Sequence, residues 1–301
     1  MRPTKGPGAR ARIRALLGVA AAGTLVLTGC SGGPDGGPSG DGGAQAVHRK
    51  EPLWNTSPGS LAAVGDSITR GFDACSVLAD CPDVSWATGV DPTVRSLAER
   101  LLGPRAATRS WNYAVTGARM ADLPGQLSAA AAHEPELVTV MVGSNDACRA
   151  TAAAMTPAKD FRATFERALA ELRKVSPKTQ VYVSSVPDLL RLWEQGKDSP
   201  VGRQVWKLGI CPSMLADSQA STPAAVERRE KVRARVVEYN EALRAVCATD
   251  SRCRYDGGAV FQYPFSTGQL SRWDWFHPSK DGQARLAELA HRHITSSRPP
   301  A

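Results

Sequence analysis

The chain has 301 residues, 42% of them hydrophobic and 22% charged, a balance that allows one globular domain with a sizeable core. Its formal charge of +8 belongs partly to residues 1–29, which contain five basic and no acidic residues. The rest of the chain has 32 basic and 29 acidic residues, a formal charge of +3. Because no basic stripe is interleaved with aromatic residues, the sequence argues against a nucleic-acid partner.

Residues 1–29 have the pattern of an export signal, in which basic residues precede a short apolar run. The apolar residues 15–27 are too few to cross a bilayer comfortably as a helix. Residues 27–30 (LTGC) resemble the bacterial lipobox, in which the cysteine is lipidated and becomes the mature N-terminus. We therefore expect a lipoprotein signal peptide and an extracytoplasmic protein, anchored through Cys30 to the outer face of the cell membrane. Ordinary cleavage near Gly29, which would release the protein, is the alternative.

Composition divides the rest of the chain into three parts. Residues 30–49 are rich in Gly, Ser, Pro and Asp with almost nothing to bury, which predicts a flexible tether. Residues 50–296 are long enough for one domain, and no internal repeat or second linker interrupts them. Residues 297–301 are expected to be a disordered tail, and the protein is expected to be a monomer.

Short apolar runs that stop at turn residues alternate with longer amphipathic stretches along the domain. The runs predict five strands, at 61–64, 110–115, 136–142, 180–186 and 254–260. The amphipathic stretches predict helices at 91–102, 120–132, 157–175, 224–247 and 280–293, the first of them capped by Asp91. Residues 187–223 are rich in Leu and Trp and are predicted to be irregular. The alternation implies parallel strands with right-handed crossovers, and therefore an α/β fold built as a three-layer α/β/α sandwich.

Six cysteines remain after Cys30, and an even set in an exported chain indicates disulfides. Six cysteines allow 15 pairings. Short spacing favours Cys75–Cys81, which would pin a loop predicted at 72–89, and Cys247–Cys253, which leaves Cys148–Cys211. A zinc site is disfavoured, because there is no C-x₂-C pair and no histidine at ligand spacing from the cysteines.

Ser67 is the candidate nucleophile, because it follows Gly65 and Asp66 at the carboxyl end of the first predicted strand. In open α/β sheets, ligands bind just beyond such strand ends. Two further predicted strands end in loops that contain Gly117 and Asn145, so polar groups of three loops could meet at one edge of the sheet. Taken alone, Gly-Asp-Ser is also ordinary turn chemistry, in which Asp and Ser bond to nearby backbone.

His277 is the candidate base among the five histidines of the chain. It lies in a turn just before a predicted helix, and Pro278 restrains it from entering that helix. Asp274 stands three residues earlier, close enough to fold back and bond the far nitrogen of the imidazole. The alternative for a histidine among aromatic residues is a packed side chain without a chemical role.

Four blocks, taken together and in order, resemble those of the SGNH hydrolases, also called GDSL esterases/lipases, over roughly residues 65–295. They are Gly65-Asp66-Ser67-Ile68, Asn112 with Gly117 five residues on, Gly143-Ser144-Asn145-Asp146, and Asp274-Trp275-Phe276-His277-Pro278. One block is easily matched by chance, whereas four in order are not. The sequence departs from the family at Ile68, where the family has the leucine of its name; we expect this to be neutral, because the side chain should face the packed interior.

The resemblance implies a flavodoxin-like sandwich with five central parallel strands, and a role for each matching residue. Ser67 would attack an ester carbonyl, His277 would act as general base and then as general acid, and Asp274 would orient His277. The oxyanion hole would consist of the Ser67 and Gly117 backbone N–H groups and the Asn145 side-chain amide. No metal and no organic cofactor is implied.

Two other acidic residues of the matching blocks, Asp66 and Asp146, are expected to bond loop backbone and hold their turns. The tryptophans of the segment 187–223, Trp193 and Trp206, could wall an acyl pocket or pack in the core. If Cys148–Cys211 forms, it would tie the Asn145 loop to that segment.

The sequence therefore predicts an exported serine esterase or lipase that acts on a small-molecule or lipid ester. An O-acetylesterase that acts on cell-surface or environmental glycans is an alternative with the same chemistry. Two alternatives come from other classes: a lipid-anchored solute-binding protein, which would need two lobes, and a binding module with an inactive site on the same fold.

Overall fold

A sheet of five parallel strands lies at the centre of the computed structural model, which describes residues 54–298. The expected signal peptide, Cys30 and the tether lie outside the described residues. The strands are β1 (Leu61–Gly65), β2 (Ser110–Asn112), β3 (Leu137–Met141), β4 (Gln180–Val183) and β5 (Cys253–Tyr255). They pair in the order β2-β1-β3-β4-β5 and every neighbouring pair is parallel. This is the flavodoxin-like order, and it confirms the expected five-stranded α/β fold.

Helices connect the strands, and five of those within residues 54–298 are single turns of four residues. The helices are α1 (Ser67–Arg70), α2 (Leu97–Leu102), α3 (Ala106–Arg109), α4 (Leu123–Ala131), α5 (Ser144–Ala147), α6 (Ala158–Val175), α7 (Leu189–Gly196), α8 (Pro200–Trp206), α9 (Pro212–Leu215), α10 (Pro223–Cys247), α11 (Ala259–Gln262) and α12 (Lys280–Thr295). Among residues 54–298, none of these helices combines the length and the apolar character that crossing a bilayer requires.

The helices form two groups, which cover the sheet. Helices α4, α6 and α10 pack side by side, and α2 packs with α12. Right-handed crossovers place the two groups on opposite faces, because the connection from β1 to β2 runs one way along the sheet and the later connections run the other way. Strands β1 and β3 are buried along their whole length, as expected of a parallel sheet covered on both faces. The described residues thus pack around one sheet, unlike the two lobes that a solute-binding protein needs.

The helix predicted at 91–102 begins later than expected, at Leu97. Its N-cap is Ser96, whose side chain accepts the Glu99 N–H while the Glu99 carboxylate accepts the Ser96 N–H. Asp91 instead accepts the Thr93 N–H in a preceding turn. Arg95 then has φ 49°, which interrupts helical geometry just before the true cap. The prediction of Asp91 as the cap was therefore wrong, because the local Asp91–Thr93 turn competes with the helix.

The segment 187–223, predicted to be irregular, contains α7, α8 and α9. Each of the first two has a capping residue: Asp188 accepts the Leu190 N–H, and Ser199 accepts the Gly202 N–H. The fifth strand also differs from the prediction at 254–260. It spans Cys253–Tyr255, and the chain turns through Gly257 and Gly258, both with positive φ, into α11.

The structure contains Cys75–Cys81 and Cys247–Cys253, the two disulfides that the spacing favours, and also Cys148–Cys211, the pair that they leave. The disulfides Cys75–Cys81 and Cys247–Cys253 each join two cysteines that are six residues apart in the sequence, and they therefore close short loops. Cys148–Cys211 joins the residue that ends α5 to the residue that caps α9. It therefore links the loop after β3 covalently to the segment 187–223.

Candidate active site

Ser67 opens α1 directly beyond β1, at the carboxyl edge of the sheet. Asp66 caps this helix, since its Oδ1 accepts the Ile68 N–H at 3.0 Å. Gly65 has φ 145°, and a Cβ at this position would lie 2.1 Å from the Met141 carbonyl oxygen. Only a glycine can therefore join β1 to this turn while β1 lies against β3. The result is a serine that is 6% exposed and held at the end of the central strand.

Gln126, on α4, holds the same turn through its side-chain amide. The Gly65 N–H donates to its Oε1 at 2.7 Å, and its Nε2 donates to the Gly65 carbonyl oxygen at 2.9 Å. The backbone N–H and C=O groups of one residue are thus both satisfied by one buried side chain. The sequence contains no signal that distinguishes this glutamine from a surface residue of the same helix.

His277 reaches Ser67 from the turn that precedes α12. The distance between Ser67 Oγ and His277 Nε2 is 2.8 Å, although 210 residues separate the two along the chain. On the other side of the ring, His277 Nδ1 bonds Asp274 Oδ2. The structure thus brings together the three residues that the sequence places in one site, in the order hydroxyl, imidazole, carboxylate.

Asp274 is fully buried, and its second oxygen anchors the turn that carries the histidine. Asp274 Oδ1 accepts the backbone N–H groups of Phe276 and His277, each at 2.9 Å. Between these residues, Trp275 adopts φ 54°, a left-handed conformation that is uncommon for a bulky side chain. The carboxylate therefore sets both the orientation of the imidazole and the path of the backbone around it.

Burial and charge act in opposite directions on the pair. Burial alone would lower the pKa of His277, but the nearby carboxylates, Asp274 first and then Asp66 and Asp73, together outweigh burial, and the pKa is raised. For Asp274, burial acts to raise the pKa, whereas His277 and the two backbone N–H bonds bring it below its usual range. The site therefore favours an ionised carboxylate beside an imidazole that accepts protons more readily than a free histidine.

The two backbone donors that the sequence predicts have no protein acceptor among the described residues: neither the Ser67 N–H nor the Gly117 N–H donates within residues 54–298. Gly117 lies in the loop beyond β2, with φ 85°. Asn145 lies in α5, beyond β3, and its Nδ2 donates to the Ala118 carbonyl oxygen at 3.0 Å. This bond uses one of the two Asn145 amide hydrogens and leaves the second for a ligand.

Asn112, the first residue of the glycine block, is structural. Its Nδ2 lies within hydrogen-bond distance of the Thr69 carbonyl oxygen (3.1 Å), Ser85 Oγ (3.3 Å) and Thr88 Oγ1 (3.0 Å). Its Oδ1 accepts the Ala114 N–H at 3.0 Å. Asn112 therefore ties the end of β2 to the end of α1 and positions the loop that contains Gly117.

Asp66 and Asp146 have the backbone contacts expected of residues that hold turns. Asp146 Oδ2 accepts the Met120 N–H and its Oδ1 accepts the Thr156 hydroxyl, both at 2.8 Å. Asp66 caps α1, as described above. Burial raises the pKa of Asp146, and burial raises the pKa of Asp66 to about 7.

The tryptophans of the segment 187–223 pack rather than wall a pocket. Trp206 is 3% exposed, and its Nε1 donates to the Asp274 carbonyl oxygen at 2.7 Å. Trp193 is partly buried, and its Nε1 donates to the Ser218 carbonyl oxygen at 3.0 Å. Of the two, Trp206 also bears on the site, because it holds the backbone of the residue that orients His277.

Two glycines allow α7 and α8 to approach this turn. A Cβ at Gly196 would lie 2.5 Å from the Trp206 ring, and a Cβ at Gly202 would lie 3.1 Å from the Trp275 ring. Gly196 thus allows α7 to pack closely against Trp206 of α8, and Gly202 allows α8 to pack closely against Trp275, the residue next to Asp274.

Two of the cavities formed by residues 54–298 lie next to Ser67 or to Gly117. One is apolar, has a volume of about 10 Å³, and lies beneath the turns that carry Ser67 and His277, where Ile68, Leu189 and Phe276 contribute to its lining. The other is an open groove of about 610 Å³ lined by residues 115–118 and by Ala121, Asp122, Gly125 and Gln126. The larger of these two spaces, beside the Gly117 N–H, is therefore open to solvent.

Comparison with known proteins identifies a family. Residues 61–290 match the family model described as GDSL-like lipase/acylhydrolase, which spans most of the chain. No curated protein matches the sequence at the significance required.

Several solved structures are similar to this chain. LAE5, an alpha/beta hydrolase enzyme from the metagenome of Lake Arreo, Spain, is 19% identical over 79% of this chain and 97% of its own, with a TM-score of 0.49. A catalytic mutant of Axe2, an acetylxylan esterase from Geobacillus stearothermophilus, is 19% identical over 79% of this chain and 94% of its own, also with a TM-score of 0.49. An extracellular lipase from Streptomyces rimosus is 17% identical over 77% and 99%, with a TM-score of 0.44.

Proposed function

This chain belongs to the GDSL-like lipase/acylhydrolase family and is a carboxylic ester hydrolase, and we propose that it cleaves its substrate through an acyl-enzyme on Ser67. His277 is the general base and Asp274 the residue that orients it. The observation that carries this proposal is the continuous chain of contacts from Ser67 Oγ to His277 Nε2, at 2.8 Å, and from His277 Nδ1 to Asp274.

In the first half of the reaction, Ser67 Oγ attacks the ester carbonyl carbon while His277 Nε2 takes the hydroxyl proton. The bond to Asp274 fixes His277 as the tautomer with its proton on Nδ1, so that Nε2 is free to accept. The negative charge that develops on the carbonyl oxygen is received by the Ser67 and Gly117 N–H groups and the Asn145 amide. Support for this role comes from the absence of a protein acceptor for the two backbone donors within residues 54–298.

The imidazolium then gives its proton to the leaving alcohol, and the acyl group remains on Ser67 Oγ. In the second half, a water molecule attacks the acyl carbon while His277 Nε2 takes the water proton. The attack forms a tetrahedral intermediate. When this intermediate collapses, His277 returns the proton to Ser67 Oγ and the carboxylic acid is released. Each half uses the same base and the same donors, so no further group is needed for the chemistry.

We propose that the acyl group is short, as in an acetyl ester. The apolar cavity beneath the catalytic turns has a volume of about 10 Å³, the space of roughly one water, and therefore cannot hold an acyl chain. The open groove beside Gly117 is exposed to solvent and offers room for the larger part of a substrate. An ester displayed on a glycan fits this arrangement better than a long-chain lipid whose acyl group must be buried.

A series of p-nitrophenyl esters from acetate to palmitate tests both the activity and the acyl length. An apolar pocket would raise kcat/KM by about fourfold for each buried methylene, since each contributes about 0.8 kcal/mol. Without such a pocket, kcat/KM should stay level from acetate to butyrate and fall by about tenfold or more at octanoate. A steady rise up to octanoate would contradict the short-acyl assignment, and hydrolysis of none of the esters would contradict the function itself.

We also propose that the protein is exported and anchored to the outer face of the membrane through a lipid on Cys30, which lies outside the described residues. The support is the lipobox-like sequence at 27–30 and the three disulfides, which are typical of proteins outside the reducing cytosol. In the native host, the wild-type protein should incorporate an alkyne-tagged fatty acid and fractionate with membranes. Cys30→Ser should remove both properties, whereas Ser31→Ala should leave them. Equal labelling of the Cys30→Ser protein would exclude the anchor.

A further inference from the structure

A second buried carboxyl group lies behind the catalytic residues. Asp73 lies in the loop after α1, and it offers an oxygen that lies within 4.8 Å of both an Asp274 oxygen and a His277 ring nitrogen. Asp73 is 1% exposed and Asp274 is fully buried. Two carboxyl groups and one imidazole therefore share a small and largely buried volume.

The position of Asp73 is fixed relative to the turn that carries His277. The backbone oxygen of Asp73 accepts the Ser271 hydroxyl at 2.6 Å, and the Ser271 N–H donates to the His277 carbonyl oxygen at 2.7 Å. Asp73 Oδ1 accepts the Leu78 N–H within the loop that Cys75–Cys81 closes. The φ of Asp73 is 57°, in the left-handed region that Asp tolerates better than most residues.

The other carboxyl oxygen, Asp73 Oδ2, has no N–H or O–H donor within hydrogen-bond distance among residues 54–298. A buried carboxylate oxygen without a donor is unfavourable, and a second carboxylate nearby makes it more so. Burial, and then Asp274, raise the pKa of Asp73 to about 6. The group therefore changes its charge close to the pH range in which His277 must be neutral to act as a base.

We propose that Asp73 is a positioning residue that acts on His277 together with Asp274. This inference rests on the proposed roles of Ser67, His277 and Asp274. When ionised, Asp73 adds a second negative charge behind the imidazole and favours the imidazolium that forms as Ser67 attacks. When protonated, it shares its proton with Asp274 and withdraws that support. The enzyme therefore has a carboxyl pair, rather than a single carboxylate, behind its base.

Other charged groups face the same volume. Asp66 also raises the pKa of His277, and Asp146 in turn faces Asp66. On the solvent side of Asp73, a cavity of about 470 Å³ is bordered by Arg272, which stacks on Trp273, and by Lys280, which pairs with Asp91. Because the charges of Asp66, Asp73, Asp274 and His277 influence one another, the pH dependence of the site belongs to the cluster, and the contribution of Asp73 is read from a difference between variants.

The test is Asp73→Asn, which keeps the size of the side chain and an oxygen for the Leu78 N–H but removes the charge. The acid limb of kcat/KM should move to lower pH by about 0.5–1 unit, because His277 loses a charge that raises its pKa. At pH 8, where Asp73 is ionised in the wild-type protein, kcat should fall by about three- to tenfold, because the base is weaker. Asp83→Asn removes an exposed acidic charge that lies close in sequence, and it should change neither quantity.

The pKa of His277, measured by NMR from its ring resonances, should move with the acid limb. An unchanged His277 pKa in Asp73→Asn would overturn the inference and leave Asp73 as a residue that only holds its loop. The NMR titration needs no turnover, so it separates this outcome from a failure of the esterase assignment, which would appear as full activity in Ser67→Ala.

If Asp73→Asn does not fold, the wild-type protein still provides the test. The His277 ring resonances should then titrate in two steps, one of them at the midpoint measured for the ¹³C-labelled Asp73 carboxyl group. A single step that does not coincide with the Asp73 midpoint would overturn the inference.

Discussion

Replacing Ser67 with alanine should lower kcat by about 10⁴-fold or more. The acyl group is transferred to Ser67 Oγ, and no other hydroxyl lies within hydrogen-bond distance of His277 Nε2 among residues 54–298. The change removes one oxygen that bonds only His277, so the fold should be retained. Steady-state hydrolysis of p-nitrophenyl acetate, with circular dichroism and thermal unfolding of the same preparation, measures both effects.

A serine on α4 provides a control for this substitution. Ser128 is exposed, and Ser128→Ala should leave kcat unchanged. A fluorophosphonate reagent should modify the wild-type protein and the Ser128→Ala protein at Ser67, and it should not modify Ser67→Ala. Activity of the Ser67→Ala protein within a few-fold of wild type would remove the basis of the proposed mechanism.

Replacing Asn145 with alanine should lower kcat by about 10²–10³-fold with a small effect on KM. The Asn145 amide is proposed to donate to the oxygen that becomes negatively charged, a bond that is stronger in the transition state than in the bound ester. The substitution also removes the bond from Asn145 Nδ2 to the Ala118 carbonyl oxygen. Kinetics with p-nitrophenyl acetate, compared at saturating and low substrate concentrations, separate kcat from KM.

Two further variants separate the loss of the donor from the loss of packing. Asn145→Leu keeps a side chain of similar volume without an N–H, and its kcat should fall as far as that of Asn145→Ala. Asn55→Ala removes an exposed asparagine whose Nδ2 donates to Glu136 at 3.2 Å, beside the amino ends of β3 and β4, and should have wild-type kcat. Wild-type kcat in Asn145→Leu would show that the amide is not an oxyanion donor.

The central part of the fold is predictable from sequence because its elements have strong local patterns. The runs LAAVG and LVTVM are buried on both faces, and such strands are read as unbroken apolar segments. The long helices α6 and α10 begin at a proline or next to one, close to the predicted starts. The helix at 91–102 and the segment 187–223 were predicted incorrectly, because short capped helices compete with local turns that have the same residue types.

Some residues of the candidate site are predictable from the sequence, and others are not. Ser67, Asn145, Asp274 and His277 are predictable because each lies in a short block at a strand end or a helix start. Gln126 and Asp73 are not predictable, because their roles depend on contacts with Gly65, 61 residues away, and with Ser271, 198 residues away. The residues next to Gln126 and Asp73 in the sequence form no pattern that predicts contacts so far away along the chain.

The packing of Gly196 and Gly202 has a consequence for altering substrate range. An engineer who wished to enlarge or reshape this enzyme's binding surface would naturally vary α7 and α8, since they carry none of the four motif blocks. A side chain at either glycine would have to displace Trp206 or Trp275, and Trp206 holds the Asp274 backbone. Libraries in this region should therefore keep both positions as glycine and vary the outward residues, or turnover will be lost for reasons unrelated to substrate fit.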